Sequence, residues 1–331
     1  MSAVPGPPFT ISIRAADALA KIVERITRLE VGTDYRLDIR LHREHRVQSI
    51  YSSLAIEGNQ LTLDQVSDLL GGKRVWGRPA DIREVENARD AYDRLLSFDP
   101  YDVADFLTAH TLLTQGLIEE VGRFRAGDVA VFEGDAQVHI GARPQFVPEL
   151  IGGLFDWART TNLHPVLLSA IVHCEIETVH PFADGNGRIG RLWQTLILAR
   201  WNDSFAALPM ESVVFQRRPE YYQSLRTAQL DNDATGFIEF SLDAILGAID
   251  GVLVSYRGGT SGGTSGRTSR DAAVLDALRT DPTLTGAALS DLLGIPRRTI
   301  ERRLSALKAS GHLRREGSTK AGRWIVLKEH V

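Results

Sequence analysis

The chain has 331 residues, of which 43% are hydrophobic and 24% are charged, and Cys174 is its single cysteine. This composition is that of an ordinary globular protein with about two domains. One cysteine excludes an internal disulfide, and no uncharged apolar run reaches the ~18 residues of a membrane-spanning helix. The N-terminus lacks the basic and apolar stretches of a signal peptide, so we expect a cytoplasmic protein with no membrane partner.

The net charge of −4 is unevenly distributed along the chain. Residues 267–331 contain 13 Lys and Arg against 7 Asp and Glu, a net charge of +6. Residues 1–266 contain the other 25 basic and 35 acidic residues, a net charge of −10. An acidic body with a basic tail predicts different partners for the two parts.

Two helices are predicted near the N-terminus. Four apolar residues share one helical face at the spacing i, i+3, i+4, i+7: Val47, Ile50, Tyr51 and Leu54. Gly58 is a stop signal for this helix. Thr62 followed by Gln65 predicts a capping box that opens a second, short helix, which Gly71 ends.

The stretch 128–147 predicts a β-hairpin in an otherwise helical chain. Its apolar residues alternate with glycines and polar residues, as in half-buried strands: Val129, Val131, Val138, Ile140, Phe146 and Val147. Pro148 and the pair Gly152-Gly153 then predict a break in the chain.

A loop between two predicted helices contains the most informative residues. Residues 165–179 are apolar nearly all round, which predicts a buried central helix, and helical spacing resumes after residue 189. Gly185, Gly187 and Gly190 match the dinucleotide fingerprint G-x-G-x-x-G. That fingerprint requires a preceding strand, and a helical pattern precedes it here, so we reject a Rossmann fold.

The same loop has the composition of a phosphate site. Backbone N–H groups of Gly185-Asn186-Gly187 can converge into an anion nest that opens a helix, where the dipole also favours an anion. Arg188 and Arg191 are three residues apart at that helix start, so they can share one polyphosphate.

Two further residues complete the predicted chemistry. Asp184 is a hard carboxylate suited to a Mg²⁺ ion that bridges phosphates, and His180 titrates near neutrality and can take a proton from a hydroxyl. Taken singly, each of these residues is ordinary. Their coincidence within twelve residues of the sequence favours a functional site.

Residues 180–191 resemble the Fic family motif H-P-F-x-D-G-N-G-R-x-x-R, with all nine specified positions matched. The resemblance implies a mainly α protein with a Fic fold, in which a helical core supports a β-hairpin flap. It also implies a protein adenylyltransferase that moves AMP from ATP to a Ser, Thr or Tyr hydroxyl of a target protein or of itself, releasing pyrophosphate. A homodimer is a further expectation from the resemblance.

The family motif assigns a role to each loop residue. The resemblance implies that His180 is the general base, Asp184 holds Mg²⁺ or Mn²⁺, Gly185, Asn186 and Gly187 cradle phosphate, and Arg188 and Arg191 grip the β- and γ-phosphates. A related Doc-type class transfers the γ-phosphate instead, and has Ala and Lys where this chain has Gly185 and Arg188. The residues present therefore favour AMP transfer.

Two more segments of the body resemble parts of the family. Residues 124–148 resemble the flap that docks the target protein by strand pairing. Six residues resemble the segment that lines the adenine pocket of the family: Glu211, Ser212, Glu220, Tyr221, Tyr222 and Gln229.

A segment before the core resembles the inhibitory motif [S/T]-x-x-x-E-[G/N]. Ser53, Glu57 and Gly58 match it. Because Glu57 ends a predicted helix, where the dipole disfavours a carboxylate, a cation would stabilise it. The resemblance implies that this cation is Arg191 and that the pair takes the place of the γ-phosphate. An alternative role for Glu57 is to activate water, which would make the chain a de-AMPylating phosphodiesterase.

The segment 258–266 contains only Gly, Thr and Ser, which predicts a flexible linker. We therefore predict four regions: an N-terminal helical region with the inhibitory helix (1–104), a Fic catalytic core (105–256), the linker (257–269) and a winged helix-turn-helix domain (270–331).

The tail resembles a winged helix, a small α+β fold. A helix over 271–279, a second helix lined by Leu289, Leu292 and Leu293, a third over 297–308 and two strands around Gly317 are predicted. Four arginines of the third helix would contact DNA: Arg297, Arg298, Arg302 and Arg303. Protein docking or dimerisation is the alternative for this domain, and a nucleotide-sensing DNA-binding transcriptional regulator is the alternative for the whole chain.

Overall fold

A computed structural model describes residues 6–33, 35, 38–133, 136–257, 274–293, 295, 297–309, 311–316 and 322–327. The chain forms two compact units, one of residues 1–60 and 75–249 and the other of residues 61–74 and 250–331. The predicted linker segment 258–266 lies outside the described residues. Among the described residues, no helix combines the length and the apolar character needed to cross a membrane.

Helices dominate the chain. In chain order they are α1 (Ile13–Gly32), α2 (Ile39–Ile56), α3 (Leu63–Leu70), α4 (Pro79–Asp93), α5 (Val103–Thr114), α6 (Val147–Thr160), α7 (Pro165–Val179), α8 (Asn186–Trp201), α9 (Met210–Gln216), α10 (Arg218–Asp231), α11 (Thr235–Arg257), α12 (274–280), α13 (Gly286–Leu293) and α14 (Arg297–Ala309). The strands are β1 (Ala130–Glu133), β2 (Ala136–Ile140), β3 (Leu313–Glu316) and β4 (Arg323–Val326).

The predicted helix boundaries near the N-terminus are confirmed. Helix α2 ends at Ile56, and Gly58 follows with a φ of 92°, a left-handed conformation that a glycine adopts without strain. Both hydrogen bonds of the predicted capping box between Thr62 and Gln65 are present at the start of α3.

The core of the first unit lies around α7 and α8. As predicted, α7 is buried nearly all round. Trp193 of α8 is fully buried, and the rings of Phe106 and Phe155 lie 5.0 and 6.0 Å from it. Burial of each such side chain contributes about 1.5–3 kcal/mol. This packing fixes the two helices between which the glycine-rich loop is held.

The predicted hairpin is present but shorter than expected. Strands β1 and β2 pair antiparallel, with Ala130 opposite Ile140 and a register shift between Val131 and Phe132. The alternating pattern predicted that the hairpin extends to Phe146 and Val147. Neither residue is in a strand, because Phe146 ends a short 3-10 turn and Val147 begins α6.

The predicted chain break after the hairpin is wrong. Pro148 lies in the first turn of α6, where its missing N–H costs nothing, and Gly152-Gly153 lie inside the helix. Each interior glycine costs about 1 kcal/mol, but Ile151 and Phe155 of the same helix are fully buried. Tertiary packing therefore outweighs the local preference of the glycines.

The second unit contains the predicted order of helices followed by two antiparallel strands, with Leu313 opposite Val326. Its buried apolar residues form one cluster: Val274, Leu278, Leu289, Ile300, Leu304, Leu307, Leu313 and Trp324. Leu292, predicted to line this core, is 54% exposed, because only the Leu289 face of α13 packs inward. The predicted turn at Gly317 lies outside the described residues.

Candidate active site

The loop from His180 to Gly185 joins α7 and α8, and the side chain of the first residue of α8 hydrogen-bonds across it. Asn186 accepts a hydrogen bond from the Phe182 N–H and donates one to the Phe182 carbonyl, both at 2.9 Å. Asn186 is 2% exposed, so its side chain shapes the loop. The backbone of α8 therefore starts from a rigid turn.

His180 ends α7 in the left-handed region, with a φ of 52°. Its Nδ1 lies 3.3 Å from the Glu177 carbonyl oxygen and donates to it, which makes Nε2 the basic nitrogen of the ring. The His180 carbonyl accepts from Arg125 Nε at 2.6 Å. The histidine is thus held by its backbone and by its ring.

Arg125 is a site residue to which sequence analysis assigned no role. It is 3% exposed and also donates to the carbonyls of Gly127, at 2.8 Å, and Ala142. These two carbonyls lie on either side of the β1–β2 hairpin. Arg125 therefore ties the base of the hairpin to the loop at His180, and in the sequence it is a charged residue at the start of the predicted flap segment.

The glycines of the loop are required by space and conformation. Gly185 has a φ of 85°, and a Cβ there would lie 2.9 Å from Thr114 Cγ2. A Cβ on Gly187 would lie 2.2 Å from Glu57 Oε1. The Glu57 carboxylate therefore lies directly against Gly187, in the first turn of α8, where a side chain would displace it.

His110 of α5 contacts the loop at Phe182 and Asp184, and the sequence analysis did not identify it. Its Nδ1 accepts the Gly122 N–H at 3.2 Å, so its Nε2 donates to the Asp184 carbonyl at 2.9 Å. Its ring stacks on Phe182 with centroids 3.6 Å apart. Burial lowers the pKa of His110 to about 4, so the ring is neutral at physiological pH.

Arg191 of α8 is buried, with 3% of its surface exposed. It binds the segment predicted to be inhibitory. Its Nη2 pairs with Glu57 Oε1 at 2.7 Å and donates to the Ser53 carbonyl at 3.0 Å, while Nε donates to Ser53 Oγ at 3.1 Å. Burial is the largest single influence and lowers the pKa of Arg191, but Glu57, Tyr221 and Glu177 together outweigh it, so the pKa is raised. Nη1 has no hydrogen-bond partner among the described residues.

Arg188 is 4% exposed and lies between two carboxylates. Its Nη1 donates to Glu84 Oε1 and its Nη2 pairs with Asp184 Oδ2, each at 3.1 Å. Among the described residues its Nε has no hydrogen-bond partner. Glu84 of α4 is a third residue that sequence analysis did not identify, because nothing in its local sequence distinguishes it.

A crystal structure of a Fic family protein from Desulfovibrio desulfuricans G20 is 38% identical, with a TM-score of 0.74, and the match covers 99% of this chain and 100% of that one. The chain belongs to the Fic family. The Fic/DOC family matches residues 100–198, which include the whole loop. The structure of residues 134–508 of Fic-1 from Caenorhabditis elegans is 26% identical over 74% of this chain and 72% of that one, with a TM-score of 0.60.

Curated relatives of this Fic protein carry an activity in their names. Protein adenylyltransferase fic-1 from C. elegans is 31% identical over 217 residues, which are 61% of this chain and 40% of the relative. Protein adenylyltransferase Fic from Culex quinquefasciatus is 30% identical over 223 residues, 64% of this chain and 42% of that one. The chain spans about two fifths of the length of these relatives.

Asp184 of the Fic motif meets the requirements of a magnesium ligand. Its side chain is 59% exposed and its Oδ1 accepts the Gly185 N–H at 2.6 Å. Among the described residues, no group of three His, Cys, Asp or Glu is placed to hold a metal ion. A single exposed carboxylate beside a phosphate nest fits Mg²⁺, which retains waters and takes its other ligands from a nucleotide.

The residues predicted to line the adenine pocket of the Fic fold separate into two groups. Tyr221 is 1% exposed and its hydroxyl donates to Glu177 Oε1 at 3.3 Å, so it belongs to the core. Tyr222 is 39% exposed, and its hydroxyl donates to the Ile56 carbonyl at the end of α2 at 3.2 Å. Gln229 donates to the Glu177 carbonyl at 3.3 Å, close to His180.

Glu211 and Ser212 anchor α2. The buried Glu211 accepts hydrogen bonds from Ser49 and Tyr92, each at 2.7 Å, and Ser212 pairs with Ser52 at 3.2 Å. These bonds hold the helix that carries Ser53 against α9. Glu220, also expected in the adenine pocket, pairs with Arg217 on the exposed side of α10.

The arginines predicted to contact DNA lie on α14 of the second unit. Arg297, Arg298 and Arg302 are exposed, whereas Arg303 is half-buried. The Arg297 N–H donates to the Asp64 carboxylate of α3 at 2.9 Å.

Proposed function

We propose that this Fic protein is an autoinhibited, Mg²⁺-dependent protein adenylyltransferase, which transfers AMP from ATP to a Ser, Thr or Tyr hydroxyl of a target protein or of itself. The observation that carries the proposal is the loop itself. A histidine, a glycine-rich helix start and two buried arginines converge there, and the Glu57 carboxylate of the segment expected to be inhibitory binds Arg191. The names of the curated relatives support the activity.

His180 acts as the general base in this mechanism. Its Nδ1–H is donated to the Glu177 carbonyl, so Nε2 takes the proton from the target hydroxyl as the oxygen attacks the α-phosphorus of ATP. A bond forms between the hydroxyl oxygen and the α-phosphorus, and the bond from that phosphorus to the bridging oxygen of the β-phosphate breaks. Pyrophosphate is the leaving group.

Charge on the leaving pyrophosphate is stabilised by preorganised donors. The nest supplies backbone N–H groups, and Arg188 and Arg191 supply guanidinium groups whose burial strengthens their electrostatic effect. Asp184 would hold a Mg²⁺ ion, which would supply positive charge against the phosphates. Because the fold buries both arginines, their side chains need little reorganisation during the reaction once Glu57 has left Arg191.

Glu57 inhibits the reaction by occupying Arg191. Its carboxylate takes the position that a phosphate would need, both on the guanidinium and against Gly187. A coupling of about 2–3 kcal/mol for a largely desolvated arginine–carboxylate pair corresponds to a suppression on the order of 30–150-fold.

The proposed activity is tested with ATP labelled on the α- or the γ-phosphate. The Glu57→Gly variant is expected to incorporate α-label and no γ-label into protein, and the double variant with His180→Ala is expected to incorporate neither. Incorporation of γ-label would instead identify a Doc-type phosphotransfer. Absence of both labels from Glu57→Gly, tested with itself and with a cell extract as acceptors, would contradict the proposal.

A second candidate activity uses the same carboxylate. Glu57 lies against the nest, where it could activate water toward a phosphodiester, so hydrolytic removal of AMP is the alternative reaction. Release of AMP from a modified protein by wild type and not by Glu57→Gly would favour it.

The flap and the second unit suggest two kinds of partner. The β1–β2 hairpin, joined to the catalytic loop by Arg125, is positioned to dock an extended segment of the target by strand pairing. The exposed arginines of α14 favour DNA as a partner of a winged-helix domain, and a regulator that binds DNA in response to nucleotide is the corresponding alternative. The homodimer expected from the family remains a prediction.

A further inference from the structure

Arg188 is held by a residue outside the Fic motif. Glu84 comes from α4, more than 100 residues earlier, and its Oε1 accepts from Arg188 Nη1 at 3.1 Å. About a fifth of the Glu84 side chain is exposed, against 4% for Arg188. The two side chains therefore meet in a place where charges interact strongly.

The choice of nitrogen atom determines which edge of the guanidinium remains for a ligand. A guanidinium binds phosphate best through two adjacent N–H groups, one on each of two nitrogens. Glu84 occupies Nη1, so the edge formed by Nε and Nη2 is left. The Nε atom is buried and has no hydrogen-bond partner among the described residues, and Nη2 is paired with the exposed Asp184 carboxylate, so a phosphate reaches this edge only after Asp184 moves away. Glu84 thus holds Arg188 through Nη1, and the edge that a phosphate could take is the Nε–Nη2 edge, which faces Asp184.

Glu84 is in turn oriented by the inhibitory segment. Asn59 Nδ2 donates to Glu84 Oε2 at 2.7 Å and to the Asp81 carbonyl at 3.1 Å. Because Asn59 engages Oε2, the other carboxylate oxygen faces Arg188. Asn59 lies two residues after Glu57, on the short connection between α2 and α3.

We propose that Glu84 is a positioning residue for Arg188, and that Asn59 makes this position depend on the inhibitory segment. The segment then has two opposite effects, since it blocks Arg191 through Glu57 and supports Arg188 through Asn59. Full activity requires that Glu57 leaves its arginine while Asn59 stays on Glu84. This inference rests on the proposed adenylyltransferase function.

A plain structural role is the competing explanation. Arg188 is buried, and Glu84 could serve only to compensate its charge and so to stabilise the fold. The two roles differ in what they change. Loss of a structural partner lowers the melting temperature and the concentration of active enzyme, whereas loss of a positioning partner raises the KM for ATP.

The test compares variants in the Glu57→Gly background, where Arg191 is released. Glu84→Ala is expected to raise the KM for ATP roughly tenfold, and Asn59→Ala about threefold, because the carboxylate remains but loses its orientation. The double variant is expected to match Glu84→Ala alone, since both residues act through one contact. Glu86→Ala, which removes a neighbouring carboxylate of α4 that pairs with Arg83, is the matched control.

Binding of ATP without metal, measured by calorimetry, gives a second readout that does not depend on turnover. The same weakening is expected there for Glu84→Ala. An unchanged KM and affinity in Glu84→Ala, or independent additive effects of Glu84→Ala and Asn59→Ala, would overturn the inference. If Glu57→Gly itself transfers no AMP, the proposed function fails instead, so the two failures are distinguishable.

Discussion

Helices α8 and α14 both carry arginines in their first two turns, yet the surroundings of these arginines are opposite. Arg188 and Arg191 are 4% and 3% exposed, and each is bound by a carboxylate from a distant part of the chain. Arg297 and Arg302 are exposed. The Arg297 side chain pairs with Glu301, one turn along the same helix, at 2.8 Å.

This difference has consequences for energy and specificity. A buried guanidinium acts in a low dielectric, cannot change direction, and is weakly screened by salt, so it can distinguish a polyphosphate from other anions. An exposed guanidinium adapts to many phosphate positions and loses most of its effect at high salt. Removal of a buried arginine should therefore have a large and specific effect, and removal of an exposed one a small and salt-dependent effect.

The largest effect is expected for Arg191→Ala in the Glu57→Gly background. Loss of a preorganised donor to the leaving pyrophosphate should lower AMP transfer about 10²–10³-fold. Arg302→Ala in the same background is the control and should leave the rate unchanged. Labelled AMP incorporation measures both, and similar losses in the two variants would contradict the contrast between buried and exposed arginines.

Release of the buried pair is the next largest effect. Glu57→Gln retains the shape of the side chain but removes the charge that binds Arg191, so AMP transfer should rise on the order of 30–150-fold over wild type. Ser53→Ala removes only a hydroxyl acceptor of Arg191 and should raise the rate a few-fold. Equal rates in wild type and Glu57→Gln would show that the ion pair does not inhibit.

The buried support of the loop predicts a pH dependence of stability. Because burial lowers the pKa of His110 to about 4, the unfolded state binds a proton near pH ~6.5 that the native state does not yet bind. Stability attributable to His110 is therefore present above pH ~6.5 and decreases by about 3 kcal/mol as the pH falls toward 4.

Urea unfolding between pH 7 and 4.5, compared for wild type and His110→Gln, checks this expectation. Glutamine can still donate to the Asp184 carbonyl but does not titrate. The difference in unfolding free energy between the two proteins should shrink as the pH falls. Parallel pH profiles would mean that His110 is not held neutral by the fold.

The smallest effect concerns the exposed arginines. Arg302→Ala in the full-length chain should weaken binding to duplex DNA about threefold. It should also reduce the slope of log affinity against log salt concentration by about one. Fluorescence anisotropy across a salt series measures both. Arg279→Ala, which removes an exposed arginine of α12, is the control, and equal losses would indicate binding without a defined surface.

The sequence alone determined the elements whose signals are local. The capping box of α3, the stop at Gly58 and the buried character of α7 depend on neighbouring residues, and all three are present. The loop motif was legible for the same reason, since the required residue types lie within twelve positions. Local signals failed where packing outweighed them, as in α6, which continues through Gly152-Gly153.

Only the tertiary structure decided which side chains meet across long separations. Glu84 binds Arg188, and Asn59 binds Glu84. Arg125 donates to the His180 carbonyl. Tyr221 lies in the core, although its sequence neighbour Tyr222 is exposed. Such contacts depend on the directions in which packed helices present their side chains, which no local spacing encodes. The motif therefore identifies the site, and the packing of α2 and α4 against the loop determines how its two arginines are held.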